Sequence, residues 1–564
     1  MQYELQVKDR YKFWEWSGDL SHDTCTIDPI VEKFFNKDVI FIADKNSYPL
    51  IVESPARKNA NLCGVLLLDG KTYGRHSNNK LLYKCLPNDT SLPPFLIPYK
   101  CKPVSFSKTK TNIYIIFSFK SWTQKHPIGL ITQTLGPITD LKVYCEYRLF
   151  CKKLQFSITN FNKQSCKILK FKNEDIWINT LLSRFNIEDR REHHVITIDP
   201  AGSKDLDDAI GLKIVSGREV IISVYIANVS LWIEILHLWD SFSQRTSTIY
   251  LPSFKKSMIP SVLSENICSL LKNKSRPAFT MDVLFDTNTN EILEVKFLNT
   301  LICVRKNYVY EDPFLVRGSV YLKLMGVCDM LHKKQPYIEN IKDSHDLVAY
   351  LMILMNHRAA IHLKQHKNGI FRNQIFMENT EPQTPHTEIT KFIKLWKFSE
   401  SKYCLYERNM GHSMIGTGLE AYTHITSPIR RLVDLLNMIQ LQKNLGLFSS
   451  TGSSMFLLKW ANQIENINKS MKDIRRVQND CLLLHTLEST PELLEKTYTA
   501  YLFDKTLHSR DVYQYNAYLP ELKLVSKIKS NTEFGQYHKT NVELFLFVGE
   551  ESIKRKIRLE LKNL

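Results

Sequence analysis

Short apolar runs separated by polar turns fill both ends of the chain, and this pattern predicts strands. Residues 1–85 contain several such runs and are expected to form a β-rich region. The proline-rich stretch that follows, LPNDTSLPPFLIPYKCKP, is typical of a linker. In residues 86–185 the runs NIYIIFSFKSW, IGLITQTLG and LKVYCEYRLF predict a small β-barrel. Residues 496–564 return to short strands and predict a second barrel.

Residues 186–495 differ from both ends because strand and helix patterns occur there in one long block. HHVITID and EVIISVYIANVSLWI predict strands, whereas HDLVAYLMILMNHRAAIHLKQH and SPIRRLVDLLNMIQLQKNLG predict helices. The most apolar window, Leu347–Met355, is too short to span a bilayer and predicts a buried helix. We therefore expect an α+β multidomain protein with a central mixed α/β domain and no membrane partner.

Four aspartates stand close together in ITIDPAGSKDLDDAI: Asp199, Asp205, Asp207 and Asp208. A strand pattern leads into them, and PAGSK turns the chain out of the sheet, so we expect them at a strand end and in the loop after it. Carboxylates this close repel one another unless a cation lies between them. Oxygen ligands without histidine or cysteine favour Mg²⁺, with Mn²⁺ as a substitute.

The aspartates allow more than one interpretation. An EF-hand calcium loop fails, because Ala209 and Ile210 stand where that pattern needs a ligand and a glycine. A solvated acidic turn remains an alternative, although apolar strands flank the cluster closely. A two-metal site for phosphoryl transfer would place an attacking water and a leaving oxygen on either side of a phosphorus atom.

Charge and cysteine content narrow the class of protein. The formal net charge is +17 and the pI is about 9.1, which favours a polyanionic partner, nucleic acid first. In FSKTKTNIYIIFSFKSWTQKH, lysines interleave with aromatic residues, which suits a single-stranded nucleic acid groove and an ordinary amphipathic sheet equally. The twelve cysteines form no CxxC pair and the N-terminus has no signal-like run, so we expect free thiols and a cytoplasmic location.

A second dense stretch is GTGLEAYTHITSPIRRLVDLLNMIQ. Ser427 followed by Pro428 predicts a helix start, which would put Arg430 and Arg431 in the first turn. An arginine beside free backbone amides suits a phosphate group, whose charge it could offset during cleavage. The alternative is an ion pair within the helix to Asp434, which accounts for one arginine but not both.

The two dense stretches together resemble the signature sequences of the ribonuclease II and ribonuclease R family, whose catalytic domain is the RNB domain. Between them, STIYLPSFKKSMIPSVLSENICSL and CVRKNYVYED resemble the family's two tyrosine-containing segments. The resemblance covers residues 190–445 and implies an RNB domain at 186–495. The family layout implies cold-shock-like or OB-like barrels before it, at 1–85 and 86–185, and an OB-like barrel at 496–564.

The resemblance implies a magnesium-dependent exoribonuclease that hydrolyses single-stranded RNA from 3′ to 5′ and releases 5′-nucleoside monophosphates by a two-metal mechanism. It implies metal-ligand roles for the four aspartates, with Asp207 also placed to orient the attacking water. Arg430 corresponds to the arginine on the scissile phosphate, and Tyr310 to the tyrosine near the cleaved nucleotide. Tyr250 corresponds to the ring that stacks on the last bases, and Arg431 completes the expected RNA-binding set.

The sequence departs from the family at three positions. Ala349 and Tyr350 stand where the family has a glutamate pair, and Asn228 stands where it has an aspartate. An RNB scaffold that binds RNA without cutting it is therefore an alternative, and a nuclease directed at DNA is another. We expect the protein to be a monomer.

Overall fold

The structure, a computed structural model, describes residues 2–8, 11–18, 27–43, 48–76, 79–100, 110–373, 392, 401–407, 419–509, 512–522, 524–547 and 556–562. The chain falls into two compact units. The first comprises Met1–Gln155, Leu251–Ser253 and Arg476–Leu564. The second comprises Phe156–Tyr250 and Phe254–Arg475.

The strands of the described residues are, in chain order, β1 (Gln2–Lys8), β2 (Phe13–Gly18), β3 (Val39–Phe41), β4 (Leu50–Glu53), β5 (Leu62–Leu66), β6 (Thr72–Arg75), β7 (Leu81–Pro87), β8 (Phe95–Tyr99), β9 (Ile113–Ser121), β10 (Ile128–Pro137), β11 (Glu188–Asp199), β12 (Asp208–Ile214), β13 (Glu219–Ala227), β14 (Ile249–Leu251), β15 (Phe254–Lys256), β16 (Ser275–Asp286), β17 (Glu291–Val309), β18 (Ile370–Asn373), β19 (Lys402–Leu405), β20 (Thr497–Ser509), β21 (Val512–Leu519), β22 (Leu524–Ser530), β23 (His538–Phe547) and β24 (Lys556–Leu561). The helices are α1 (Pro55–Lys58), α2 (Leu141–Cys151), α3 (Thr159–Leu169), α4 (Glu174–Arg184), α5 (Val229–Ile235), α6 (Pro313–Val316), α7 (Ser319–Lys334), α8 (Ser344–Gln365), α9 (Leu432–Asn444), α10 (Thr451–Ala461) and α11 (Ile464–Ser489).

The first unit is rich in antiparallel sheet. Its described strands form sheets in the orders β2-β1-β3-β4, β5-β9-β10-β8-β7-β6 and β22-β21-β20-β23-β24. The proline-rich stretch is not a linker, because β7 ends in it and β8 lies within it, and these two strands pair with each other. Residue 85 lies within β7, so the six-stranded sheet takes strands from both sides of the boundary expected there. Of the lysine-and-aromatic stretch, residues 106–109 lie outside the described residues.

The sequence prediction was wrong for LKVYCEYRLF, which forms the helix α2 rather than a strand. The residues from 141 to 184 carry three helices, so the strands of the predicted barrel end with β10. Apolar residues alternate in this run, which imitates a strand. Asp140 favours the helix, because its carboxylate accepts a hydrogen bond from the backbone N–H of Lys142 at 2.8 Å and caps the N-terminus of α2. Tyr147 then stacks on Tyr114 of β9, with ring centroids 4.2 Å apart.

The second unit is built on a closed barrel of β11, β12, β13, β16 and β17. Alternate residues of β13 pack into two different cores, with Ile222 and Val224 in one and Tyr225 in the other. The strand predicted through VSLWI stops at Ala227, and α5 follows. Asn228 caps that helix, because its side-chain oxygen accepts the N–H of Leu231 at 3.3 Å.

The helix predicted for HDLVAYLMILMNHRAAIHLKQH is confirmed as α8, and its apolar window packs into the core. Among the described residues, no helix is long and apolar enough to cross a membrane. The expected combination of β-rich ends with a mixed α/β centre is also confirmed.

Candidate active site

The candidate site lies at the edge of the barrel where β11 and β17 end. These strands are parallel, so their carboxyl ends meet, and Asp199 pairs in register with Val309. The backbone N–H of Tyr310 donates to the carbonyl oxygen of Asp199 at 3.2 Å. Asp208 is the first residue of β12. The aspartates thus stand at a strand end and in the loop after it, as the sequence pattern predicts.

Asp199 and Asp208 are the two members of the cluster that have no hydrogen bond from a cationic side chain within the described residues. Oδ2 of Asp199 is buried and has no hydrogen-bond partner among the residues that the structure describes. Burial raises the pKa of Asp199 to about 6, against the opposing effects of Thr197 and Arg430. Burial and the charge of Asp199 raise the pKa of Asp208 to about 7. Ionising both groups is therefore unfavourable, and a bound cation would offset that cost.

Asp207 is buried and has donors on both carboxylate oxygens. The backbone N–H of Ile429 donates to Oδ1 at 2.8 Å, and Nε of Arg430 donates to Oδ2 at 3.1 Å. Burial raises the pKa of Asp207 well above its usual range, while Arg430 and the Ile429 N–H oppose that shift. Asp207 thus has an arginine partner, and the metal-ligand role expected for it stays a prediction.

The arginines do not lie in the first turn of a helix, which corrects the sequence prediction. Ser427–Arg430 form a turn, and α9 begins at Leu432. An antiparallel bridge between Ser247 and Arg431 holds the backbone extended at this point. Arg430 is half exposed and pairs with Asp207, whereas Arg431 pairs with Asp434, its Nη2 lying 2.8 Å from Oδ1.

Asp205 is held by a lysine that the sequence analysis did not identify. The hydroxyl of Tyr250 donates to Oδ2 at 2.9 Å, and Nζ of Lys255 donates to Oδ1 at 3.0 Å. Lys255 also contacts Glu265 at 2.7 Å. A lysine in FKKS carries no sequence signal for this position, because only the fold brings it to the aspartate.

Tyr310 and His345 form a stacked pair at the same edge. Their ring centroids are 3.7 Å apart and their planes differ by 9°. The turn that carries Tyr310 is tied to the start of α8, because the Ser344 hydroxyl and N–H donate to Oε1 of Glu311 at 2.6 and 2.9 Å. Burial and the charges of Asp208 and Asp199 raise the pKa of Tyr310 to about 12.

The departures from the family pattern have separate structural explanations. Tyr350 is fully buried, and its hydroxyl donates to the carbonyl of Gln335 at 3.3 Å, so it is a core residue. Ala349 is exposed and lies one helical turn after His345, on the same face of α8. Asn228 is the helix cap described above.

A buried histidine supports the segment before the arginine turn. Nη1 of Arg372 lies 3.2 Å from Nε2 of His424, and the hydroxyl of Tyr403 lies 2.7 Å from Nδ1. An arginine can only donate, so Nε2 accepts and Nδ1 carries the proton. Burial, together with Arg431 and Arg372, holds the pKa of His424 well below its usual range. The ring is therefore a neutral, structural group.

The donor set fits a hard divalent cation in part. Asp199 and Asp208 offer carboxylate oxygens, one of them buried and without a partner. Asp205 and Asp207 already accept hydrogen bonds from cationic side chains. Across the part of the chain that the structure describes, no three histidine, cysteine, aspartate or glutamate side chains gather into a complete metal site.

Two family profiles match the chain. The RNB domain matches residues 187–313 and 376–446, and the Dis3-like cold-shock domain 2 matches residues 82–149. The DIS3-like exonuclease 2 of Schizosaccharomyces pombe is 31% identical over 208 residues, which are 36% of this chain and 22% of that protein. Ribonuclease R of Buchnera aphidicola from Schizaphis graminum is 25% identical over 476 residues, covering 69% of this chain and 64% of the relative. The matches thus span less than two thirds of these curated relatives.

Solved structures share the fold over the whole chain. Mycoplasma genitalium RNase R in complex with ribose-methylated single-stranded RNA superposes with a TM-score of 0.71 at 16% identity, covering 100% of both chains. Yeast Ssd1, described as a pseudonuclease, superposes with a TM-score of 0.59 at 13% identity, covering 93% of this chain and 78% of that one. At these identities the likeness establishes the fold alone.

Proposed function

Because the central domain of the chain belongs to the RNB family of ribonuclease II and ribonuclease R, we propose that the protein is a 3′→5′ exoribonuclease. Its substrate is single-stranded RNA, and its products are 5′-nucleoside monophosphates. The observation that carries this proposal is the edge of the barrel, where buried aspartates with raised pKa values lie beside the half-exposed Arg430. The basic net charge supports a polyanionic substrate.

Asp199 and Asp208 are the residues that would hold a divalent cation, Mg²⁺ first. When bound, such an ion activates water and offsets phosphate charge. The two carboxylates contribute in their ionised form, which their surroundings disfavour until a cation is present. The role of Asp199 and Asp208 is therefore to bind the cation and fix its position. Cleavage should need the metal, because the buried carboxylates are stable in their ionised form only when a cation is bound.

Arg430 is the residue that meets the scissile phosphate. Its Nε and Nη2 donate to Asp207 and Ser427, and the half-exposed guanidinium keeps Nη1 available to a phosphate oxygen. Asp207 acts through Arg430, because the buried carboxylate fixes the direction in which the guanidinium points. Arg431 pairs with Asp434 and thereby supports the same turn, so we propose this structural role for it in place of the expected RNA contact.

Two tyrosines complete the proposed RNA-binding set. Tyr250 is 41% exposed and its hydroxyl is fixed by Asp205, so we propose that its ring stacks on a base of the RNA. Tyr310 is half buried beside Asp199 and is held from one side by His345. It is therefore proposed to position the nucleotide that is removed.

An RNA-binding protein on an inactive RNB scaffold is the second candidate. The observation in its favour is that Asp205 and Asp207 accept hydrogen bonds from Lys255 and Arg430. This candidate predicts RNA binding without hydrolysis under every metal condition.

The test is a time course with single-stranded RNA labelled at its 5′ end, with Mg²⁺, Mn²⁺ or EDTA. We expect a metal-dependent ladder that shortens from the 3′ end, and mononucleotides in the product. RNA that is bound but stays intact would favour the inactive scaffold. A DNA strand of the same sequence, assayed in parallel, separates an RNase from a nuclease directed at DNA, because only RNA offers 2′-hydroxyl contacts.

A further inference from the structure

The environment of Asp205 carries an inference about how many metal ions the site takes. Tyr250 and Lys255, on the neighbouring strands β14 and β15, both donate to its carboxylate. The side chain of Asp205 is only 9% exposed, and each of its two oxygens already accepts one hydrogen bond. A divalent ion at Asp205 would have to displace the ammonium group of Lys255.

Lys255 is itself fixed from a second direction. Glu265 contacts Nζ at 2.7 Å while Asp205 contacts it at 3.0 Å, so the ammonium group lies between two carboxylates. The lysine side chain is 28% exposed and Glu265 is 24% exposed, so solvent screens this arrangement less than it would screen an ion pair on the open surface. Glu265 lies in a short π-helix, Leu263–Ile267, in which Leu263 and Ser264 are buried.

The remaining charges of the cluster divide in a corresponding way. Arg430 forms an ion pair with Asp207, and Lys255 forms one with Asp205. Oδ2 of Asp199 is the buried carboxylate oxygen of the cluster that has no donor in the described part of the chain. Asp208 could share a cation with it, because Asp199 ends β11 and Asp208 begins β12, which pairs with β11 in the barrel.

We propose that the ammonium group of Lys255 is a built-in cation that takes the place of a second divalent ion at Asp205, so that the RNA-free chain binds one divalent ion, at Asp199 and Asp208. This inference deepens the proposed nuclease function and rests on it for its catalytic meaning. It makes Lys255 a determinant of metal stoichiometry, a role that a merely structural lysine would not have. The second positive charge of the site is then supplied by the chain itself.

The test counts Mn²⁺ ions bound to the RNA-free protein, by calorimetry and by the electron paramagnetic resonance signal of free Mn²⁺. The wild-type chain is expected to bind one ion tightly. Lys255→Met removes the ammonium group, and the count is expected to rise from one to two. Lys256→Met is the matched control, because it removes the same charge from the next residue, whose ammonium group lies over the Phe254 ring. Its count is expected to stay at one.

Asp205→Asn locates any second ion. In the wild-type background it should leave the single bound ion in place, and in the Lys255→Met background it should return the count from two to one. Two ions on the wild-type chain, or an unchanged count in Lys255→Met, would overturn the proposal. Loss of the single ion in Asp205→Asn alone would do the same, because Asp205 would then be an ordinary ligand.

Two controls keep the result interpretable. Thermal melting checks that each variant folds, and Lys255→Gln, which keeps a polar side chain, replaces Lys255→Met if that variant does not. No RNA is present in the count, so its outcome is independent of cleavage. A chain that binds one ion but cuts no RNA would refute the nuclease proposal alone, whereas a chain that cuts RNA with two bound ions would refute the role of Lys255 alone.

Discussion

The four aspartates of the site form two pairs with different surroundings. Asp205 and Asp207 each accept hydrogen bonds from a cationic side chain of the protein, Lys255 and Arg430. Asp199 and Asp208 have no such partner within the described residues, and their pKa values are raised to about 6 and about 7. Burial raises the pKa of Asp207 as well, but there Arg430 and the N–H of Ile429 oppose the shift, so the pairs differ in their hydrogen-bond donors. The same residue type thus stands in one loop under two electrostatic conditions.

The difference follows from where each partner comes from. The cations that meet Asp205 and Asp207 arrive from distant parts of the chain, one from β15 and one from the turn before α9. Asp199 and Asp208 end and begin adjacent strands of the barrel, where backbone pairing sets the side-chain positions. The fold supplies each carboxylate of the first pair with a cationic partner. The ionised form of the second pair has none, so an added cation would stabilise it. Four predictions test this contrast.

The largest effect is expected for Asp208→Asn. Removing one carboxylate of the unpartnered pair should abolish metal-dependent cleavage, by at least ~10³-fold, since the cation loses a ligand. RNA binding should change little, because the basic surface supplies most of the affinity. Single-turnover cleavage rates and a binding titration measure the two effects separately.

Asp189→Asn is the matched control for that experiment. Asp189 is an exposed aspartate of the same barrel, whose carboxylate pairs with Arg191. Its removal should leave the cleavage rate unchanged. Equal cleavage by Asp208→Asn and the wild type would mean that the unpartnered pair does not hold the catalytic ion.

Arg430→Ala should give the second-largest effect, and it concerns the pair of aspartates with cationic partners, Asp205 and Asp207. We expect cleavage to slow by about 10²-fold if Arg430 offsets charge in the transition state. Asp207 would lose its cation, and because burial already raises its pKa, it should take up a proton rather than unfold the site. Cleavage rates and thermal melting curves of the same variant measure the two consequences.

Arg431→Ala sharpens the comparison of the neighbouring arginines. Its partner Asp434 is fully buried, so this variant should lower the melting temperature strongly. The contradicting outcome for the Arg430→Ala prediction is cleavage at the wild-type rate. Arg430 would then be only a structural partner of Asp207.

The strand pattern in the sequence was sufficient to place the aspartates, but not to assign their partners. HHVITID alternates, and its end is set by the turn residues that follow, so Asp199 could be located from local information. Lys255 and His345 could not be found in this way, because their roles depend on contacts made through the tertiary fold. The position of Arg430 and Arg431 was mispredicted for the same reason, since a bridge from Ser247 keeps them out of the helix.

The third prediction concerns the dependence of stability on pH. The folded-state pKa values of Asp199 and Asp208 lie above the ordinary carboxyl value of 3.8, so between 3.8 and about 7 the metal-free folded chain binds more protons than the unfolded chain. Their contribution to the free energy of unfolding should therefore fall as the pH rises through that window and level off above it. Melting temperatures in EDTA across the window measure this trend.

Saturating Mg²⁺ should cancel that loss, because the ion binds the ionised carboxylates. The stabilisation by metal should thus grow with pH up to about 7. The double variant Asp199→Asn, Asp208→Asn should lack the metal effect and the share of the pH-dependent loss that these two aspartates contribute, whereas Asp207 keeps its own share. A wild-type metal effect that does not change with pH would contradict the assignment of these two aspartates.

The smallest effect is expected for His345→Ala. The variant removes the ring that stacks on Tyr310 at 3.7 Å, and aromatic pairs of this kind contribute about 0.5–1.5 kcal/mol, which corresponds to a change of roughly 2- to 10-fold. If Tyr310 positions the terminal nucleotide, its freed ring should raise KM for single-stranded RNA while kcat changes little. His345→Phe should restore KM, because a phenyl ring can stack in the same place. His366→Ala, at the residue that follows the C-terminal end of α8, should behave as wild type. A fall in kcat at constant KM would instead assign His345 to the support of the aspartates, because the neighbouring Tyr310 donates its backbone N–H to Asp199.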